Sequence, residues 1–433
     1  MSVSTIEDVA TPSSSDVVPQ RRPIPAAAFW TLLALGVVAG GYYVKQVIEA
    51  PPILLHLKDL GVYQIAANRV VDGVSIYDTP LLGNTRGVWE FVYTPFAALV
   101  FLPLVALRGD LFTYAGAFGD FAMLTASCWA ALSMLGYRRD LRLLVTGVSA
   151  AGLLVWCEPV RETMAFGQIN IFLLLLVLAD TALPDSSRWK GVLTGIAAGI
   201  KLTPAFFVVY FLVTRRYRAA ATATATCVAT VLIGVAALPK DSLTFWSGAF
   251  ADPTRVGVPE NPQNESLRGM VARTIGVAGT NQLLWLLGAV AVAAICLVLA
   301  RRLSLTGHEL PAVVLVGLTT TAVSPYSWLH HWVWLAPLLV YLTDLAVRRR
   351  GPAAPLGLGV ALVVASGGVL SFYDPTMSSI IALPSRAHLG VIYHNAYIWL
   401  TLALFVAAAY YLRRATNRAD TSTPAAAGRP RPS

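Results

Sequence analysis

The stretch QLLWLLGAVAVAAICLVLA, Gln282 to Ala300, carries no charge and ends directly on Arg301-Arg302. About 20 such residues span the hydrocarbon of a bilayer as a helix. A helix also satisfies its own backbone polar groups where no water can. Similar runs recur along the 433-residue chain, which is 56% hydrophobic and only 13% charged. Soluble domains carry about one-quarter charged residues, and a soluble chain of this length needs polar residues to cover its surface. The pattern therefore reads as an all-α, polytopic helical membrane protein built as one integral domain.

The net charge of +9 is gathered into short clusters between the apolar runs: Arg21-Arg22, Arg138-Arg139 with Arg142, Arg188 with Lys190, Arg215-Arg216 with Arg218, Arg301-Arg302, Arg348-Arg349-Arg350 and Arg413-Arg414. That distribution is typical of cytoplasmic loops and unlike the basic, aromatic-lined groove of a nucleic-acid binder. The first long run follows Arg21-Arg22 without a short cleavable signal, which predicts an uncleaved first span with its N-terminus inside. Residues 1–26 are expected to form a disordered cytoplasmic tail, 27–415 the membrane domain, and the Ala/Pro/Thr-rich 416–433 a second disordered tail. The four cysteines, Cys128, Cys157, Cys227 and Cys296, lack metal-type spacing and read as small buried hydrophobes.

Membrane segments are predicted at 27–49, 93–107, 111–135, 143–157, 169–183, 191–213, 219–238, 282–300, 309–323, 328–347, 354–372 and 395–413. These twelve return the C-terminus to the inside. Strict alternation, however, puts Arg138–Arg142 and Arg188–Lys190 outside, against the charge rule. Both conflicts adjoin irregular segments: 93–107 is short with Pro95 and Pro103, and 191–213 is interrupted by Lys201-Leu202-Thr203-Pro204. Half-length or re-entrant helices resolve both, and such backbone is tolerated where it lines a protein-enclosed cavity. The polar mass then lies outside, in loops 50–92, 157–170, 239–281 and 373–394 (with Asp374, Arg386 and His388) and in the turn Ser324 to His331.

Several groups in these stretches carry chemistry. Asp59 precedes Leu60, Tyr63, Ala67 and Val70, spaced to form a lipid-surface helix. It is either a base held at the membrane surface or the helix N-cap, and taken alone the cap is the stronger reading. The run Ser324-Pro325-Tyr326-Ser327-Trp328-Leu329-His330-His331-Trp332 sets two of six histidines side by side. They suit a phosphate or a proton transfer, whereas an interfacial belt explains only the tryptophans. Asn261 to Gly269 concentrates amide, hydroxyl and guanidinium donors fit for sugar hydroxyls and, through Arg268, a phosphate. Gln168 and Asn170 either bind a ligand or bond helix to helix. Lys201 either meets a phosphate or snorkels to cytoplasmic headgroups, the latter slightly preferred. Asp120, inside 111–135, is a proton-relay candidate or, more commonly, a paired interior residue. No P-loop, dinucleotide fingerprint, zinc motif or nucleophile elbow is present.

In order along the chain, Asp59-Leu60-x-Val62-Tyr63, Tyr93-x-Pro95-Phe96, Gly167-Gln168-x-Asn170, Lys201-Leu202-Thr203-Pro204, Asn264-x-Ser266-Leu267 and Ser324-Pro325-x-Ser327-Trp328-x-His330-His331 resemble family 87 of the glycosyltransferases. These are enzymes of the GT-C fold that include the PimE-like mannosyltransferases of actinobacterial envelopes. The resemblance implies a GT-C-type bundle at the plasma membrane and a polyprenyl-phosphate mannose donor used on the periplasmic face. It implies inverting transfer to a glycolipid acceptor, giving an α-mannoside, with no metal or cofactor. α-(1→2) transfer to a phosphatidylinositol mannoside or a lipomannan or lipoarabinomannan chain is the first expectation. By position Asp59 becomes the general base, and His330 and His331 lie at the donor phosphate. Tyr63, Gln168, Asn170, Lys201, Asn264 and Ser266 are further candidates for donor phosphate or sugar; Arg268 is added on electrostatic grounds alone. A transporter or flippase of a lipid-linked sugar is the alternative, disfavoured by the long exterior loops and the absence of an internal repeat.

Overall fold

Every expected membrane segment contains helix, but the helices fall into two kinds. The computed structural model describes residues 21–85, 88–252, 255–261, 263–348, 351–366, 390–393 and 395–422. Five helices are long and apolar enough to cross a membrane: Ala26–Glu49, Gly109–Met134, Tyr217–Ala237, Asn281–Leu305 and Ala396–Asn417. A sixth crossing arises if the pair Leu141–Leu154 and Glu158–Phe166, bent by 87°, counts as one. The protein is thus a multi-pass helical membrane protein, with five or six full-length crossings among the described residues where about twelve segments are expected. Among the described residues there is no strand, only an isolated backbone bridge between Arg22 and Tyr137.

The long helices keep apolar side chains on the outside. Leu283, Leu284, Leu287, Val290 and Val298 are all exposed on Gly279–Leu305, as a lipid-facing surface requires. Shorter helices fill the interior. Glu309–Val323 buries every residue from Ala312 to Ala322, the mark of a helix apolar on all sides. Small residues set the crossing between Ala26–Glu49 and Leu141–Leu154. A Cβ on Gly36 would lie 2.5 Å from the Ser149 carbonyl oxygen, and one on Gly152 would lie 2.7 Å from that of Gly36. Only glycine permits that backbone contact.

Both irregular segments are broken, and their breaks meet. Segment 93–107 is a short helix, Pro95–Val100, followed by a 3-10 turn, Leu102–Ala106. Segment 191–213 is Val192–Ile200, then extended backbone at Lys201, then Phe206–Val213. Pro204 has no N–H to offer the Ile200 carbonyl, so the first helix cannot continue. Thr94 joins the two. Its hydroxyl accepts from the Ala97 N–H at 3.2 Å, capping Pro95–Val100, and donates to the Gly199 carbonyl beside the second break.

Two expectations need correction. Loop 157–170 is largely a buried helix, Glu158–Phe166, with Pro159 in its first turn and Gly167 (φ +65°) ending it. The Lys58–Val71 helix buries Val62, Tyr63, Ala66 and Ala67 inside the protein rather than laying them on lipid. Arg22 exchanges backbone hydrogen bonds with Gly136 and Arg138, and the last helix, Ala396–Ser422, passes Thr416. Residues 1–20 and 423–433, and Asp374, Arg386 and His388 of the 373–394 stretch, lie outside the described residues.

Candidate functional site

Asp59 is not the helix cap. Leu57 holds that position in a left-handed conformation (φ 49°, ψ 33°), fixed by its N–H donating to the Ala165 carbonyl at 2.8 Å. The cap is therefore set by a tertiary contact, and Asp59 is left at the second helical position with its carboxylate free for a different partner. That partner is the Gln168 amide, whose Nε2 donates to Asp59 Oδ2. Gly167 makes the approach possible, because a Cβ there would stand 2.6 Å from Leu60 Cβ. Asp59 is 8% exposed. Burial raises its pKa from 3.8 to about 6, against the opposing pull of the Gln168 bond and then of Lys201 and Lys58. That range suits a general base near neutral pH.

The orientation of Gln168 is set by Asp59 and matched at its other end. Tyr63 donates its hydroxyl to Gln168 Oε1 at 2.7 Å, Tyr93 approaches the same oxygen at 3.0 Å, and the two phenols lie 2.8 Å apart. The ionised carboxylate can only accept, so the NH2 must face it and the carbonyl oxygen is left to the phenols, which can donate. From Gln168 the chain of contacts continues to Asn170, whose Nδ2 is 3.5 Å from Oε1 and donates to the His330 carbonyl at 3.0 Å. Lys201 Nζ donates to Asn170 Oδ1 at 3.1 Å and lies 3.0 Å from His331 Nε2 and 5.5 Å from the centre of the Tyr93 ring. Lys201 thus turns inward, contrary to the snorkelling reading. One amide and one imidazole, Asn170 and His331, fix it at a position no local rule could supply. A small cavity of about 50 Å³ lies against Asn170, Lys201, His331, Thr320 and Ser327, with apolar walls from Leu173, Phe207 and Trp334.

The histidine turn is held from behind. Thr163 donates to the His330 carbonyl at 3.1 Å, and the Trp328 N–H donates to His331 Nδ1 at 3.2 Å. Asn264 and Ser266, expected to bind sugar, spend their polar atoms on this scaffold. Asn264 Oδ1 accepts from the Ser266 and Ser327 N–H groups, and its amide nitrogen donates to the Pro259 carbonyl. Ser266 caps the Leu267–Ile275 helix. Arg268 is not gathered in: it stands one position into that helix and lays its guanidinium 5.3 Å over the Trp285 ring. His330 is 7% exposed, and its Nε2 has no hydrogen-bond partner among the described residues. Asp120 is buried with Oδ2 unpartnered, not paired as expected.

Reading the sequence picked out Tyr93 as part of a motif but gave it no role, and it passed over two acidic groups behind the turn. Glu158 accepts from the Tyr397 hydroxyl. Glu265 is 1% exposed with both carboxyl oxygens unpartnered, and burial holds its pKa well above the usual range. Glu265 is the variable position of Asn264-x-Ser266, so its only signal is an acidic residue inside a motif.

The comparisons agree with one another. The model of glycosyltransferase family 87 matches residues 91–325. A polyprenol-phosphate-mannose-dependent alpha-(1-2)-phosphatidylinositol mannoside mannosyltransferase of Mycobacterium tuberculosis is 31% identical over 399 residues, 88% of this chain and 90% of its own length. The pentamannoside mannosyltransferase of the same description from that organism is 30% identical over 435 residues, 95% of each chain. Its counterpart in Mycolicibacterium smegmatis is 32% identical over 340 residues, 77% of this chain and 82% of its own. No solved structure matches the chain.

Proposed function

The chain belongs to glycosyltransferase family 87, and from that premise we propose that it transfers mannose from polyprenyl-phosphate mannose to a phosphatidylinositol mannoside. The transfer forms an α-(1→2) linkage with inversion at the anomeric carbon. The reaction runs at the outer face of the plasma membrane, where the long polar loops collect, within a membrane domain spanning about residues 27–415.

The acceptor hydroxyl attacks C1 of the mannose as the bond from C1 to the phosphate oxygen breaks. Its proton passes to Asp59, and polyprenyl phosphate leaves with the bonding electron pair. Lys201 and His331 receive the phosphate, where hydrogen bonds strengthen as charge develops on the leaving oxygen. His330 stands beside them with a free ring nitrogen. Gln168, Tyr63 and Tyr93 orient the base, while Asn264 and Ser266 position the histidine turn.

One observation supports this reading above the rest. A buried carboxylate and an amine–imidazole pair sit at opposite ends of one row of amides, Gln168 and Asn170. Inverting transfer needs a base on the acceptor side and phosphate contacts on the donor side, and one carboxylate suffices. The test is incubation of purified protein with polyprenyl-phosphate mannose and a phosphatidylinositol mannoside, with linkage analysis of the product. Asp59→Asn keeps the shape and removes the base, so transfer should fall by about 10²- to 10⁴-fold. Near-normal transfer by that variant would refute the mechanism.

A further inference from the structure

A row of rings leads away from the Asp59–Gln168 pair. Trp89 and Phe166 have centroids 6.3 Å apart, Phe166 and His330 5.6 Å, and His330 and Trp328 6.3 Å with planes only 15° apart. Trp89, Phe166 and Trp328 are each half-buried, whereas His330 is buried. Lys58, exposed and next to Asp59 in sequence, holds its ammonium 5.9 Å from the Trp89 centroid. The row comes from three separate parts of the chain. It is joined to the base through the Leu57 N–H on the Ala165 carbonyl, one residue before Phe166.

Trp89 is held there at a cost. Its φ is +55°, a left-handed conformation that is a genuine outlier for a bulky residue. Its neighbours keep it so: the Trp89 carbonyl accepts from the Leu81 N–H at 3.0 Å, and Glu90 is ion-paired to Arg255 at 2.8 Å. Strain of this kind persists where the surroundings over-determine it and gathers at ligand clamps.

We propose that the Trp89–Phe166 end of this row is a subsite for the glycan of the acceptor, taking α-linked mannosyl residues already on the glycolipid. This rests on the transferase reading and deepens it. Aromatic faces carry a partial negative charge, and the C–H-rich faces of pyranose rings stack on them. The ring spacing is comparable to one sugar unit. That end belongs to the acceptor because Lys58, next to the base, lies over Trp89, whereas the other end, His330 and Trp328, touches His331. The donor side, at Lys201 and His331, has the apolar cavity walls suited to a lipid phosphate. Lys58 adds a hydrogen-bond donor for hydroxyls at the outer end.

Steady-state transfer with two acceptors tests the assignment: an oligomannosyl phosphatidylinositol mannoside, and an alkyl α-mannoside with a single sugar. Trp89→Ala should raise KM for the oligomannosyl acceptor about tenfold, the size of one aromatic contact. It should leave kcat, donor KM and the monomannoside KM within about twofold, and Trp89→Phe should restore most of the loss. Equal changes for both acceptors, a loss in kcat alone, or no change would overturn the subsite. Intrinsic tryptophan fluorescence with α-mannotriose, read without donor, separates the two claims. Quenching in wild type that is lost in Trp89→Ala supports the subsite even if transfer fails. Transfer with no quenching and no acceptor discrimination leaves the transferase standing and removes the subsite.

Discussion

Asp344 and Asp59 are both carboxylates with little exposure, 5% and 8%, yet they are met in opposite ways. Asp344 takes Arg22 at 3.2 Å, the Arg348 Nε at 2.7 Å and the Tyr137 hydroxyl at 2.7 Å. Glu309 is likewise gripped by both nitrogens of Arg216, at 2.8 and 2.9 Å, with Tyr210 and Ser304 on the same oxygens. In these arginine-rich loops each carboxylate is neutralised on the spot. Asp59 receives one neutral amide. The nearby cation, Lys201, bonds to Asn170 instead, so two amides stand between the opposite charges. A direct pair would stabilise the anion and depress its basicity; the amide spacer holds both groups in place and leaves each able to meet a substrate. Charge closes the structure in one region and is kept open in the other.

The largest effect should come from breaking the open region's geometry. Gly167→Ala places a Cβ 2.6 Å from Leu60 Cβ at a φ of +65°. Left-handed backbone costs about 1–2 kcal/mol and overpacking a further 1–3 kcal/mol. A loss of about 3 kcal/mol, read as a lower Tm in detergent, should accompany loss of transfer, because the same contact delivers Gln168 to Asp59. A variant with unchanged Tm and kcat would show that the close approach does not matter. Asp344→Asn tests the other region. Removing one partner of a buried ion pair costs about 3–5 kcal/mol, but the Arg22 and Arg348 side chains are 32% and 39% exposed, and solvent tempers the loss to about 2 kcal/mol. Stability should fall while kcat at permissive temperature stays near wild type.

That contrast also marks what the sequence could carry. Asp59, Gln168, Asn170, Lys201 and His331 are legible as chemistry because charged and amide groups beside apolar runs are costly unless they have a task. Their partners are not legible. Hydrophobic period reports which helix face is apolar, not what lies opposite, so the Lys58–Val71 stripe reads equally as lipid-facing or interior. Leu57 takes the cap from Asp59 through a bond to Ala165, more than 100 residues away. The inward turn of Lys201 depends on where Asn170 and His331 stand, and Arg268 points by its helical position rather than its charge. Trp89 offers no periodic signal, because its place is set by the Glu90–Arg255 ion pair.

The smallest effect should come from replacing Gln168, and it is the most specific. Burial raises the Asp59 pKa to about 6, and the Gln168 bond is the first of the influences lowering it. Only the carboxylate can accept the proton, so kcat/KM should be level above about pH 6 and fall as pH drops through that value. For stability the sign is reversed. A carboxyl with a raised folded pKa favours the fold most at low pH, and that contribution is lost as pH rises from about 3.8 to about 6. Gln168→Met keeps the volume and removes the N–H donor, so the acid limb of kcat/KM should move up by roughly one pH unit, or about 1.4 kcal/mol. Above pH 7 Tm should fall by a matching loss of stability, about 1.4 kcal/mol, while Tm at low pH is spared, because the stability lost on ionisation grows with the folded pKa. An acid limb that stays in place would show that Gln168 holds the geometry of Asp59 without tuning its basicity. A limb that moves down would reverse the electrostatic assignment.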